Sequence, residues 1–191
     1  MEALYESPLP SGLTCIDSSS NSATTNMHVL FGLSGQDLGF LAEFQVALKS
    51  VLLNAPFDSA LTVHVVADQA DAVQQALEQT GIAAWQTRQS VSIRLYRVSA
   101  ATIDQWTAVV RATLEPLTLL FPFWRTVPMF RHTVGQYFRL FAHNILQQQP
   151  DIQHVLYLDT DVVIMSNLQH LWRQRNTDKW FQWGTNMVSA C

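Results

Sequence analysis

The stretch HVLYLDTDVVI, from His154 to Ile164, is an apolar run interrupted by two aspartates with one residue between them. Its first part, His154 to Leu158, has the near-continuous apolar character of a strand covered on both faces in the middle of a parallel sheet. Asp159 and Asp161 fall where that strand ends. No lysine or arginine lies within the stretch to balance the two carboxylates, so open water or a cation must do so. In open α/β sheets ligands gather outside the carboxyl ends of the strands, which makes two acids delivered there a candidate site.

The flanking sequence carries the same architecture outward. After Asp161, VVIMSNLQHLWRQ predicts a short second apolar piece and a brief helix, and KWFQWGTNMVSAC predicts one more strand, cut off in mid-pattern. Before the stretch, TVGQYFRLFAHNILQQQP places Val134, Tyr137, Phe138, Phe141 and Ile145 on one side of a helix, with Thr133 as N-cap and Pro150 closing the connection. Farther upstream, MHVLFGL (27–33), LTVHVVA (61–67) and VSIRLYRV (91–98) read as strands. Between the first two, LAEFQVALKSVLLNA repeats apolar residues at helical spacing (Phe44, Ala47, Leu48, Val51, Leu52) until Asn54 and Pro56 stop it. DAVQQALEQTG predicts a second helix ended by Gly81, and IDQWTAVVRATLE a third. Pro116 to Pro128 reads as an ordered loop with its aromatics packed on the body. Strand, helix, strand, helix, strand implies parallel crossovers and an α/β fold.

At 191 residues the chain is about one domain in size. Apolar residues at 48% against 14% charged exclude disorder and a coiled coil. A formal net charge of −4 offers no basic face for nucleic acid, so no nucleic-acid partner is expected. Cys15 and Cys191 stand alone near the two ends and define neither a disulfide framework nor a zinc cluster. Residues 1–26, rich in serine and proline and without an apolar core, read as a flexible polar leader, with the folded domain spanning 27–191. The most apolar long stretch, Leu114 to Phe130, contains Glu115, Arg125 and three prolines, so the chain reads as soluble with no transmembrane segment.

Two adjacent carboxylates repel unless a cation sits between them, and hard divalent ions take oxygen ligands of this kind. Magnesium or manganese suits the pair better than zinc, and such ions are commonly held by one or two carboxylates together with substrate phosphates. The bland alternative is a solvated turn, since aspartate favours turns. A calcium hand is excluded: counted from Asp159, its glycine and glutamate positions hold Ile164 and His170. A haloacid-dehalogenase-like phosphotransferase also opens with a strand ending in Asp-x-Asp, but here the pair arrives near the C-terminus, with too little chain left for that enzyme's later motifs.

The wider string YFRLFAHNILQQQPDIQHVLYLDTDVVIMSNLQHLW, Tyr137 to Trp172, resembles the nucleotide-sugar glycosyltransferases of family 8, which include glycogenin-like, galactosyl- and xylosyltransferases. The likeness rests on the aromatic-x-Arg-Leu helix, the Val-Leu-Tyr-Leu-Asp strand, the Asp-x-Asp and the downstream Leu-x-x-Leu-Trp, and extends to the first strand, the Lys49-Ser50 helix and the second strand. The resemblance implies a GT-A (Rossmann-like) nucleotide-diphospho-sugar transferase fold moving a sugar from a UDP-sugar donor to a saccharide or glycoprotein acceptor. It implies that Asp159 and Asp161 bind Mn2+ (or Mg2+) on the diphosphate, with the Thr160 backbone near the ribose. It also implies that Arg139 approaches the donor sugar or the acidic pair, where a guanidinium would offset carboxylate and phosphate charge. Arg139 capping its own helix or pairing with a surface acid is the alternative. Gly32 would allow close backbone approach of the nucleotide, or serve as an ordinary turn glycine.

The sequence departs from the family in two places. Many members place an aspartate soon after the first strand to hold uracil or ribose, where this chain reads Gly32-Leu33-Ser34-Gly35-Gln36-Asp37. The family's later asparagine-glycine segment and its C-terminal metal-binding histidine have no counterpart, so the domain is expected to be truncated at its C-terminus, with the acceptor part missing. A catalytically inactive nucleotide-binding fragment is accordingly a third function class. No catalytic nucleophile is assigned. Lys49 and Ser50 are expected in packing and solvent-facing roles, and Trp124, Trp172, Trp180 and Trp183 in the core rather than in a sugar cleft. His132 and His143 are read as surface or hydrogen-bonded residues. The family resemblance implies the Golgi lumen for a membrane-anchored protein and the cytoplasm otherwise.

Overall fold

In the computed structural model, described for residues 5–6, 26–35, 37–56, 59–81, 90–120, 138–146 and 152–174, five strands form one sheet. In chain order they are β1 (Tyr5–Glu6), β2 (Met27–Leu33), β3 (Leu61–Ala67), β4 (Val91–Arg97) and β5 (Leu156–Leu158), arranged β1-β4-β3-β2-β5. The last four run parallel. Met27 is level with Leu61, Leu61 with Val91, and Val29 with Leu156. Tyr5–Glu6, inside the serine- and proline-rich N-terminal stretch, pairs antiparallel with the end of β4.

Parallel strands need crossovers, and the helices α1 (Leu38–Leu53) and α2 (Ala70–Gln79) supply them between β2, β3 and β4. Three more helices follow among the described residues: α3 (Ala100–Leu120), α4 (Ala142–Leu146) and α5 (Leu168–Arg173). Successive side chains of a strand point to opposite faces, so each strand feeds two cores. Val29, Phe31, Val63, Val65, Ile93, Leu95 and Leu158 join Phe44, Leu48 and Val51 of α1, Val73 of α2 and Trp172 of α5. Leu30, Val66 and Tyr96 face the other way, onto Trp106 of α3 and Phe138, Ile145 and Leu146 at α4. Trp106 stacks flat on Phe141, with ring centroids 4.6 Å apart, and meets Phe138 edge-on.

Every residue expected on the core side of α1 is buried, and Asn54 ends the helix. Asp37 starts it by accepting hydrogen bonds from the amides of Gly39 and Phe40. Gly81, at φ +69°, carries the chain out of α2 through a conformation that costs a glycine nothing.

The structure differs from expectation at two points. Helix α3 runs through Pro116 to Leu120, so the expected loop gives way to helix over residues 116–120. Pro116 has no N–H for the Ala112 carbonyl, which costs about 3 kcal/mol in a helix interior. The strand read from His154 to Leu158 is ordered as β only over Leu156–Leu158 and has β2 as its one neighbour among the described residues. Its two-faced burial nonetheless holds: Leu156 and Leu158 pack on the first core, Val155 and Tyr157 on the second. Residues 121–137, 147–151 and 175–191 lie outside the described residues, and with them Thr133, Val134, Tyr137, Pro150 and the last expected strand.

Within the second face lies a polar chain. His28 Nδ1 is 3.1 Å from His64 Nε2, and His64 Nδ1 is 2.9 Å from the Tyr96 hydroxyl. The three side chains come from β2, β3 and β4, and His64 is fully buried. Burial holds the His64 imidazole down to about 3, with the charges of His28 and Arg94 acting in the same direction. His28 is lowered by burial and then by Arg94. Both rings are therefore neutral at physiological pH.

Candidate functional site

The last registered pair of β2 and β5 is Phe31 with Leu158. One step further along the parallel strands brings Gly32 level with Asp159 at the carboxyl edge of the sheet. The chain then turns, and the Val162 amide points back to the Asp159 carbonyl at 3.4 Å. Exposure alternates through the motif: Asp159 and Asp161 are exposed, whereas Thr160 between them is only 6% exposed. The buried threonine fixes the middle of the turn and leaves both acids on the surface. Gly32 does not have positive φ, so its backbone conformation is one that any residue adopts. A side chain at that position would project over the same face as Tyr157 and Asp159.

Tyr157 and Asp159 are two residues apart and share that face. The Tyr157 hydroxyl hydrogen-bonds the Asp159 side chain and is pushed up to about 12, first by burial and then by the adjacent negative charge, with Arg139 opposing. It is protonated at neutral pH and donates to the carboxylate. Arg139, in the turn before α4, sits with its guanidinium carbon 5.7 Å from the centre of the Tyr157 ring. The sequence-predicted residues Arg139 and Asp159 thus meet through a tyrosine that sequence reading passed over. The signal was present in the period of two: Tyr157 is the aromatic on the same side of the strand as Asp159.

Two further contacts shape the edge. Asp68, immediately after β3, accepts hydrogen bonds from the Ser34 hydroxyl at 2.8 Å and the Gly35 amide at 3.0 Å. Gly35 stands at φ +87°, a turn open to glycine, so the β2–α1 loop is bent and pinned beside the site. Asp68 was also missed, although an aspartate directly after the buried strand LTVHVVA occupies the ligand-gathering edge by the same rule that singled out Asp159. On the other side, α1 grips the chain beyond the acids. Ser50 Oγ accepts from the Ile164 amide at 2.9 Å, and Asn54 Nδ2 donates to the Ile164 carbonyl at 2.8 Å. Ser50 is buried and hydrogen-bonded, while Lys49 faces solvent as expected.

Trp172 is buried in the first core, as expected; Trp124, Trp180, Trp183 and His132 lie outside the described residues, and His143 is placed only as part of α4. Among the described residues no group of three histidine, cysteine, aspartate or glutamate side chains is placed to hold a metal ion. The exposed Asp159–Asp161 pair is hard-oxygen chemistry in the number a magnesium or manganese ion accepts from protein when phosphates complete its shell, so the donor set fits such an ion. No helix among the described residues is long and apolar enough to cross a membrane.

The family model for glycosyl transferase family 8 matches residues 33–184 of the chain. No curated protein matches. Among solved structures, the crystal structure of mouse xyloside xylosyltransferase 1 in its apo form is similar, at 16% sequence identity and a TM-score of 0.48. The likeness covers 78% of this chain and 47% of that one, so this chain spans about half the length of that protein.

Proposed function

The chain belongs to glycosyl transferase family 8, its mixed α/β fold with four parallel strands is of the GT-A type, and from that premise we propose that it moves a sugar from a UDP-sugar to a hydroxyl of a glycan or protein-linked acceptor. The observation that carries the reading is the Asp159-Thr160-Asp161 turn at the carboxyl edge of the sheet, level with Gly32.

In this reading Asp159 and Asp161 would hold a Mn2+ or Mg2+ ion together with donor phosphate oxygens. When bound, that ion supplies Lewis-acid stabilisation of the departing UDP. Tyr157 keeps one Asp159 oxygen hydrogen-bonded and so orients the carboxylate. Arg139 adds positive charge where carboxylates and phosphates crowd together. Gly32 would let the nucleotide approach the backbone closely, and Asp68 holds the neighbouring loop through Ser34 and Gly35. The Thr160 backbone lies near the ribose.

The test is the affinity for UDP measured by calorimetry with and without manganese, on the wild-type chain and on Asp161→Asn. Manganese should strengthen UDP binding to the wild type, and the substitution should remove most of that gain. Equal affinity with and without metal, or an undiminished gain in Asp161→Asn, would refute the assignment. Formation of an aspartyl-phosphate from a phosphoryl donor would point instead to the phosphotransferase chemistry that an Asp-x-Asp strand end can also perform.

A further inference from the structure

We propose that Ser50 and Asn54 are positioning residues for the acidic turn, holding Asp161 at its place on the sheet edge through the backbone of Ile164. The proposal rests on the donor-site reading for its functional consequence, but the anchoring can be tested without it. Both polar groups of the Ile164 peptide positions are taken by α1: the amide by Ser50 Oγ at 2.9 Å and the carbonyl by Asn54 Nδ2 at 2.8 Å. The Ser50 hydroxyl spends its own proton on the Ala47 carbonyl at 2.7 Å, as a serine inside a helix commonly does, which leaves its lone pairs for the incoming amide. Asn54 Nδ2 also donates to the Ser50 carbonyl at 3.0 Å, which fixes the side chain. Its backbone carbonyl accepts from Leu168, the first residue of α5, one of the amides a helix start leaves unpaired.

The turn is therefore strung between two anchors. Upstream, pairing with β2 holds the chain as far as Leu158; downstream, α1 holds it from Ile164. Because α1 follows β2 directly, both anchors belong to one unit, and the five residues 159–163 between them have little freedom.

Ser50→Ala and Asn54→Ala each remove one tie, and Ser50→Thr keeps the hydroxyl. Each alanine variant should reduce the manganese-linked gain in UDP affinity by about threefold to tenfold, the usual worth of one such hydrogen bond, while leaving metal-free UDP affinity unchanged. Amide hydrogen exchange at Thr160–Val163 should quicken by about the same factor, with β3 and β4 amides unmoved, and Ser50→Thr should restore both readouts. Unchanged exchange at the turn in both alanine variants would overturn the anchoring. Faster exchange spread evenly over the sheet, with the metal-linked gain intact, would overturn the positioning role in favour of general stability. A wild-type chain showing no manganese-linked gain would defeat the donor reading and the functional half of the proposal, and the exchange comparison would then decide the anchoring by itself.

Discussion

Acidification should destabilise this protein through the buried His64. An unfolded histidine takes a proton near pH 6.5, whereas the buried ring resists until about 3. Between those values the unfolded chain binds the extra proton, so stability is full above pH 6.5 and falls as the pH drops toward 3. At pH 5 the loss from this one group is about 2 kcal/mol relative to pH 8, and each further pH unit costs about 1.4 kcal/mol until the folded ring itself protonates. His28, lowered for the same reasons, adds to the loss in the same direction. Urea denaturation followed by tryptophan fluorescence at pH 8, 6 and 5 measures the effect, with His64→Gln as the partner experiment. Glutamine keeps hydrogen-bonding groups for His28 and Tyr96 but does not titrate. Its stability should therefore decline less by about 2 kcal/mol over the same range. Parallel decline of wild type and variant between pH 8 and pH 5 would refute the claim that the buried imidazole governs acid stability.

Arg139→Ala should weaken manganese-linked UDP binding by about tenfold, the scale of one charge-assisted contact; calorimetry showing unaltered affinity would remove its donor role. Tyr157→Phe deprives the Asp159 carboxylate of its hydroxyl donor and should lower the metal-linked gain by about threefold to tenfold without changing metal-free UDP affinity. Asp68→Ala releases Ser34 and Gly35, so UDP titrations should show binding weakened to the same extent with and without metal, a pattern opposite to that of Tyr157→Phe. Leu48→Ala, inside the first core, should cost about 2 to 5 kcal/mol in urea denaturation, and a cost under about 1 kcal/mol would contradict the packing described for α1.

Much of the site was readable because it is local. Asp159 and Asp161 stand one residue apart, and the apolar strand before them locates them on the sheet edge by a general rule of parallel sheets. Tyr157 and Asp68 obey the same local logic and were overlooked because a tyrosine in an apolar strand reads as core and an aspartate after a strand reads as a turn. Ser50 was a different case. Its helix neighbours are core residues, and a serine among them gives no sign that its partner lies at Ile164. Pro116 misled because local preference ends helices at proline, whereas the helix here runs on to Leu120.

From the chain alone followed the elements and their layering: the seven-residue apolar runs at 27–33 and 61–67, the helical spacing of Phe44 to Leu52, and the acids at the end of an apolar strand. These depend on periods of two and 3.6 residues, which any short window of sequence displays. Only the tertiary structure decided which groups meet across long separations: Arg139 over Tyr157, His28 with His64 and Tyr96, and α1 with the segment beyond the acids. Such contacts form between side chains brought together by sheet order and helix placement, and those in turn are set by burial summed over both cores rather than by any one stretch of residues.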